Sequence, residues 1–250
     1  MNKNYKQIPP MVRNVMGFDK PNEIDLVKQD LIFSPTIIRA YKLPFNYETT
    51  YYMFDELEYP LESDPERAKH YGMATDKSFG YTLNNDGFED LSSTILQCAK
   101  DYNHEILWYD VDEWRLTQSW ITNKHSGQGH DEHRHPNSII SGILYFHEKQ
   151  DEELEHTIKQ FSMMPPTIFC SEASYYYNTQ LFVPRRGGVD RPPTSYYTMP
   201  YIPGTLVLFP SELFHRVPKN ESSFVRKSLS VNIVPQVGFG QQDNMSQCLF

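Results

Sequence analysis

The spacing of hydrophobic positions divides the chain into two parts. In the first part, residues 46–57 carry apolar side chains at helical spacing. Asp86 is followed three residues later by Glu89 and then by LSSTILQCAK, which is the pattern of a helix start. We therefore predict a helical lead-in that includes a helix from Asp86 to about Asp101.

From Trp114 onward the apolar runs are short, rich in β-branched and aromatic residues, and separated by Gly, Pro and Asn. The predicted strands are WRLTQSWITN, SIISGILYFH, TIKQFS, SYYTMPYI, TLVLFP and FVRKSLSVNIV. The stretch YYYNTQLFVPRRGGVDRPPTS is too long for an ordinary connection and is predicted to be a lid or binding loop. Together these patterns predict a mainly β (α+β) fold, a jelly roll with N-terminal helices packed on one sheet.

Length and composition fit one folded domain. The chain has 250 residues, of which 39% are hydrophobic and 22% charged, as in ordinary globular proteins. We predict an N-terminal extension over residues 1–30 and a single domain over 31–250. Within that domain the lead-in covers 31–110, the β core 111–236 and a tail 237–250.

The formal net charge of -9 argues against a broad nucleic-acid surface, which would be basic. No apolar run approaches the roughly 18 residues that cross a bilayer, and the polar start has no signal-peptide core. We therefore expect a cytoplasmic protein without a membrane partner. Its three cysteines are odd in number and far apart, which does not indicate a disulfide framework.

Histidines are concentrated just before the strand SIISGILYF. Four of the nine lie in HSGQGHDEHRH. If this segment is extended, His133 and His135 point to one side and Arg134 to the other. Imidazole suits Fe, Zn, Cu and Ni better than Mg or Ca, so the HxH pair predicts two ligands for one such metal. The alternative is a solvated polar loop.

A third ligand has to come from elsewhere in the chain. His215 is the candidate, because it follows GTLVLFPSELF at the predicted end of a strand. Carboxylates near the HxH pair remain open as ligands: Glu132 forms an HxE pair with His130, and Asp131 shares the parity of His133 and His135. Spacing alone leaves the ligand set undecided.

Arg226 lies eleven positions after His215 (226 minus 215), in FVRKSLSVNIV. Strand alternation places Arg226, Ser228 and Ser230 on one face and Lys227 on the other. A buried guanidinium needs an anionic partner, and its planar fork suits a carboxylate. This stripe therefore predicts an anionic ligand, unless the face looks at solvent.

The strings HRHPNSIISGILYF, PGTLVLFPSELFHRV and RKSLSVNIV resemble the putative 2OG-Fe(II) oxygenase family of bacteria and their phages, within the Fe(II)- and 2-oxoglutarate-dependent dioxygenase superfamily. That family typically reads HxHPxSxxSGxxYF at the first string. The resemblance covers roughly Trp114 to Pro235. It implies a double-stranded β-helix of the jelly-roll, cupin-like type and an oxidoreductase that uses Fe(II), 2-oxoglutarate and O2.

The resemblance also implies roles for individual residues. His133 matches the first metal histidine, His135 the position of the usual carboxylate, and His215 the distal histidine. Arg226 and Ser228 match the anchor for the C5 carboxylate of 2-oxoglutarate. Asn123 is expected to line the cosubstrate pocket.

One departure concerns His135, because the superfamily normally has Asp or Glu there. The implied reaction is hydroxylation of an unidentified small-molecule or peptide substrate, with release of succinate and CO2. Several tyrosines are candidates for the substrate entrance: Tyr175, Tyr176, Tyr177, Tyr196 and Tyr197. The alternatives are a three-histidine cupin-type dioxygenase that does not use 2-oxoglutarate, and a non-catalytic β-helix binding module.

Overall fold

The computed structural model describes residues 27–33, 36–44, 53–57, 80–146, 164–170, 196–240 and 248–249. They include twelve strands and three helical elements. The strands are β1 (Val27–Phe33), β2 (Thr36–Lys42), β3 (Trp114–Lys124), β4 (His130–His133), β5 (Ile140–Phe146), β6 (Thr167–Cys170), β7 (Tyr196–Met199), β8 (Thr205–Pro210), β9 (Phe214–Val217), β10 (Arg226–Pro235), β11 (Gly238–Phe239) and β12 (Cys248–Leu249). The helical elements are α1 (Glu89–Tyr102), a 3-10 turn (Thr82–Asn84) and a π-helical turn (Asn103–Leu107).

Ten of the strands form two antiparallel sheets that pack on each other, and β11 and β12 form a separate antiparallel pair. The larger sheet has the order β1-β2-β8-β5-β10-β3, and the smaller one has the order β4-β9-β6-β7. Consecutive strands alternate between the two sheets from β3 to β6 and again from β7 to β10. This is the predicted double-stranded β-helix, or jelly roll. No helix in the described ranges has the length and apolar character needed to cross a membrane.

Each face of the larger sheet packs against its own apolar core. Its outer face packs against α1 through side chains that include Ile95, Cys98, Leu144, Leu229 and Val231. Its inner face packs against the smaller sheet through Ile143, Tyr145, Phe169, Val207 and Phe209. The central strand β5 is buried along its whole length, because each face contributes to one core.

The helix α1 begins later than predicted. It starts at Glu89, with Phe88 rather than Asp86 as its N-terminal cap and no side-chain capping bond. Gly87 has a φ of +91°, which a right-handed helix does not accommodate, so helical hydrogen bonding begins with the Ser92 amide donating to the Phe88 carbonyl oxygen. Of the segment predicted helical at 46–57, residues 53–55 are helical, and 46–52 lie outside the described residues.

The lead-in predicted to be helical over 31–110 contains residues 31–33 and 36–42, which belong to β1 and β2, so the helical prediction was wrong there. The sequence TIIRAYK of β2 is rich in β-branched and aromatic residues, and this strand pairs with β8. β6 and β9 were not predicted as strands. TIKQFS and the predicted lid at 175–195, with Tyr175, Tyr176 and Tyr177, lie outside the described residues.

Candidate metal centre

Three histidines meet between the two sheets. His133 is the last residue of β4 and pairs in register with His215, the second residue of β9. The turn after β8 carries the chain into the smaller sheet, so His215 does not continue the strand TLVLFP as expected from the sequence. His135 lies two residues beyond β4. One potential ligand atom from each of the three rings lies within 4.8 Å of the others.

Local backbone contacts orient two of these rings. His133 Nδ1 is 2.8 Å from the carbonyl oxygen of Asp131, and His215 Nδ1 is 3.0 Å from the carbonyl oxygen of Leu213. A carbonyl oxygen only accepts hydrogen bonds, so in the neutral ring the proton resides on Nδ1. The Nε2 lone pair of both rings is therefore available to a metal ion.

His135 is oriented by side chains instead. Its Nδ1 is 2.8 Å from Asn232 Oδ1 and 3.0 Å from Ser141 Oγ. Ser141 Oγ also lies 2.8 Å from Ser211 Oγ and 3.2 Å from Asn232 Oδ1, so its single hydroxyl proton has alternative acceptors. Because the amide oxygen of Asn232 only accepts, His135 Nδ1 is also the protonated nitrogen. All three rings thus have the tautomer that metal-bound histidines adopt through Nε2.

Burial keeps these imidazoles neutral. It lowers the pKa of His135 to about 4, and it also lowers the pKa values of His133 and His215, the latter strongly. The fourth histidine, His130, stacks on His133 with ring centroids 3.9 Å apart, and burial lowers its pKa to about 2. At neutral pH the three rings need not lose a proton before they bind a metal.

The neighbouring carboxylates do not join the group of three rings. Glu132 Oε2 accepts a hydrogen bond from Cys170 Sγ at 2.9 Å, and Asp131 contributes its backbone carbonyl to His133. Among the residues that the structure describes, the group with metal-binding geometry consists of imidazoles alone.

A buried guanidinium lies in the same interior. Arg226 is 1% exposed, and burial lowers its pKa. Its Nε donates to the Pro165 carbonyl oxygen (2.9 Å), Nη1 to Ser228 Oγ (3.2 Å) and Nη2 to Thr167 Oγ1 (3.1 Å). Three of its five N–H donors are thereby used, and each terminal nitrogen keeps one. In the described part of the chain, no carboxylate contacts this group.

Two tyrosine rings flank the guanidinium. Arg226 Cζ lies 5.4 Å from the ring centroid of Tyr145 and 5.3 Å from that of Tyr201. The guanidinium therefore lies over two aromatic faces, and the electron-rich face of each ring attracts its positive charge. Of the tyrosines expected near the entrance, Tyr196 is half-exposed on β7 and stacks with Arg216, while Tyr197 packs on the inner core.

The register of β3 and β10 assigns the remaining predicted residues to faces. Asn123 pairs with Lys227, whose ammonium binds Asp55 on the outer side of the sheet. Asn123 therefore lies on the face opposite Arg226 and Ser228. Lys124, which pairs directly with Arg226, is the residue that shares their face.

Other inward side chains of this site were also missed by the sequence interpretation. They are Trp120, Thr122, Lys124, Ser141 and Asn232. For the β3 residues, the face follows from the register with β10, which places Lys124 opposite Arg226 and Trp120 opposite Ser230.

Residues 118–232 match the family model described as "Putative 2OG-Fe(II) oxygenase". The match contains the three histidines, Arg226, Ser228 and Asn232. The resemblance seen in the sequence motifs is thereby confirmed over this segment. No curated protein matches the chain in sequence.

Several solved structures are similar in fold. The prolyl-4-hydroxylase of Pseudomonas putida is 14% identical with a TM-score of 0.37, covering 59% of this chain and 66% of that one. The non-heme alpha ketoglutarate dependent epimerase SnoN from nogalamycin biosynthesis is 13% identical with a TM-score of 0.42, covering 62% and 58%. A prolyl hydroxylase of Trichoplax adhaerens is 14% identical with a TM-score of 0.37, covering 58% and 55%. The chain thus spans between about half and two thirds of the length of these structures.

Proposed function

We propose that this chain, whose residues 118–232 match the putative 2OG-Fe(II) oxygenase family, is an Fe(II)- and 2-oxoglutarate-dependent dioxygenase. The observation that carries the proposal is the combination of three convergent neutral imidazoles and a buried guanidinium in one interior. The first group suits a transition-metal ion, and the second suits a carboxylate.

The three rings fit an iron ion by their donor chemistry. His133, His135 and His215 each present Nε2, and each is fixed by a hydrogen bond at Nδ1. Such outer hydrogen bonds orient the ring and raise its basicity as a ligand. Three protein ligands leave coordination positions for a cosubstrate and O2. When bound, iron and 2-oxoglutarate supply the oxidising power for hydroxylation, with release of succinate and CO2.

The proposed place of 2-oxoglutarate follows from the unused donors of Arg226. One N–H remains on each terminal nitrogen, and this pair matches the two oxygens of the C5 carboxylate. Ser228 already accepts from Nη1 and can donate its own hydroxyl proton to the same carboxylate. The cost of keeping Arg226 buried is then offset by a charged partner when the cosubstrate binds.

Aromatic side chains cover two of the three rings, those of His135 and His215. The ring centroid of Trp120 lies 5.4 Å from that of His135, and that of Phe209 lies 4.9 Å from that of His215. Phe169 packs on the same ring at 6.0 Å. A site of this kind protects a strongly oxidising reaction from side reactions with solvent. The substrate is proposed to be a small molecule or a peptide.

An anaerobic titration tests the proposal. Addition of 2-oxoglutarate to the protein with Fe(II) should produce a visible charge-transfer band, and air should then yield succinate without added substrate. Arg226→Met should lower the affinity for 2-oxoglutarate on the order of 100-fold, as expected for a lost buried charge pair. Both signals would then require a correspondingly higher 2-oxoglutarate concentration. Arg216→Met, on the exposed side of β9, is the matched control and should retain both signals.

A second candidate function is a three-histidine dioxygenase that does not use 2-oxoglutarate. The observation that favours it is the absence of a carboxylate from the described metal-binding group. Under this alternative the protein binds Fe(II), and 2-oxoglutarate changes neither the spectrum nor the product. If no metal binds at all, both enzyme functions are wrong, and the chain is a binding module.

A further inference from the structure

His135 differs from the other two histidines in how its ring is held. His133 and His215 lie in paired strands, and each donates to the carbonyl oxygen two residues before it. His135 lies beyond the end of β4. Its backbone amide donates to the Ser211 carbonyl oxygen at 2.9 Å, which fixes the main chain but leaves the ring orientation to side chains.

The side chain that contacts the ring most closely belongs to the other sheet. Asn232 lies on the inner face of β10, and its Oδ1 is 2.8 Å from His135 Nδ1. The amide of Asn232 is itself oriented, because its Nδ2 donates to Gln118 Oε1 at 3.2 Å. The register between β10 and β3 shifts between Asn232 and Ile233, so this contact lies at a β-bulge. Bulges of this kind re-aim side chains beside functional sites.

Ser141 also contacts His135 Nδ1, at 3.0 Å, but it does not select a tautomer. A hydroxyl can donate to the ring nitrogen or accept from it. If Ser141 alone faced the ring, Nε2 could carry the proton, and a protonated Nε2 does not bind a metal. The amide oxygen of Asn232 removes this choice, because it has no proton to donate.

We propose that Asn232 is the positioning residue that keeps His135 Nε2 unprotonated and directed at the metal position. In this way a histidine serves where related oxygenases have a carboxylate. The inference rests on the proposed metal site, and it assigns to an amide on the opposite sheet the task that backbone carbonyls perform for His133 and His215. Asn232 acts through His135 and does not itself bind the metal.

Two measurements test this role. Long-range proton-nitrogen spectra of metal-free protein with 15N-labelled histidine, at pH 7.5 as our chosen condition, report the tautomer of each ring. Titration with Co(II) alone, followed by its visible absorption, reports metal affinity. The wild-type protein should show His135 protonated at Nδ1. Asn232→Leu should move a substantial fraction to the Nε2-protonated form and weaken Co(II) binding by about 10–100-fold, the usual cost of losing an outer-shell partner.

Three further variants complete the test. Asn232→Asp keeps an acceptor at the same position, so its tautomer and Co(II) affinity should stay close to wild type. Ser141→Ala should retain the Nδ1-protonated form. If Asn232→Leu does not fold, Asn232→Ser replaces it, because the shorter hydroxyl does not reach the ring.

The possible outcomes separate this inference from the proposed function. An unchanged tautomer and Co(II) affinity in Asn232→Leu, or in Asn232→Ser where it replaces that variant, would overturn the positioning role, as would a wild-type His135 protonated at Nε2. If the protein binds Co(II) and Fe(II) but 2-oxoglutarate has no effect, the proposed oxygenase function is wrong. The positioning role of Asn232 is still supported in that case, provided that the Asn232→Leu results are as expected. A wild-type protein that binds no metal contradicts both.

Discussion

Lys124 and Arg226 are direct cross-strand neighbours on β3 and β10, and each is only 1% exposed. Their side chains share the inner face of the larger sheet, where like charges repel. Burial, and then the charge of Arg226, lowers the pKa of Lys124 to about 7. The interior therefore holds two basic groups side by side, an arrangement that favours an anionic ligand.

We expect the charge of Lys124 to reduce the stability of the metal-free protein near neutral pH. Its pKa is lower in the folded state, about 7, than in the unfolded chain, where it is about 10.5. The unfolded state thus binds more protons between these values, and the Lys124 contribution makes stability rise with pH in that window. Lys124→Met removes this contribution.

Urea unfolding of both proteins with a chelator, at pH values from 6 to 10 in our design, measures the effect. The free energy of unfolding of Lys124→Met relative to wild type should be highest near pH 6 to 7 and should decline as the pH rises. Other titrating groups are common to both proteins and cancel in the difference. A difference that does not change with pH would contradict the lowered pKa.

Arg226 should bind 2-oxoglutarate through its geometry as well as its charge. Arg226→Lys retains a cation but loses the planar pair of donors, and it no longer reaches Ser228 and Thr167 in the same way. We expect an intermediate affinity for 2-oxoglutarate, between wild type and Arg226→Met, in the charge-transfer titration. Equal affinities for Arg226→Lys and the wild type would mean that Arg226 acts only as a point charge.

Strand alternation gave a correct account of the face of β10 that carries Arg226, Ser228 and Ser230, because this strand is regular and one face meets a polar interior. The resemblance to the family indicated Asn123 on the neighbouring strand, whereas the register places Lys124 opposite Arg226. The β core was therefore predictable from periodicity. The cross-strand neighbour of each residue depends on the register between two strands, which cannot be read from the sequence of one strand.

The bulge in β3 shows a limit of the same method. Trp114 and Leu116 have the parity of Trp120, yet they pack on the outer core with α1, while Trp120 faces His135. The register shift opposite Asn232 makes Thr117 an extra residue and reverses the faces. Likewise, Asn232 lies 97 positions from His135, and their contact depends on how the two sheets pack. No local spacing reports such a contact.

His135 should be a required metal ligand. His135→Ala leaves two imidazoles, and we expect Co(II) affinity to fall by more than about 100-fold, beyond the usual 10–100-fold effect of an outer-shell change. His135→Asp supplies the carboxylate usual in 2-His-1-carboxylate sites and should recover much of the affinity. Visible absorption during Co(II) titration measures both variants. If His135→Ala binds Co(II) as tightly as wild type, the ligand set is wrong.

Gly142 should be required for the packing of the outer core. A Cβ added there would lie 2.7 Å from Val231 Cγ2 and 2.8 Å from Leu208 Cδ2, closer than side chains normally approach. Gly142 lies in β5, which is buried on both faces, so the neighbours have little room to move. We expect Gly142→Ala to lower the free energy of unfolding by about 1–3 kcal/mol, as overpacking does.

A double-mutant cycle isolates this contact. Val231→Ala removes the nearest methyl group and is itself destabilising because it leaves a cavity. In the Val231→Ala background, Gly142→Ala should cost less than in wild type, since the added methyl occupies the vacated space. Urea unfolding of the four proteins gives the interaction free energy between the two sites. Strictly additive effects would show that the cost of Gly142→Ala arises elsewhere, for example in the backbone of β5.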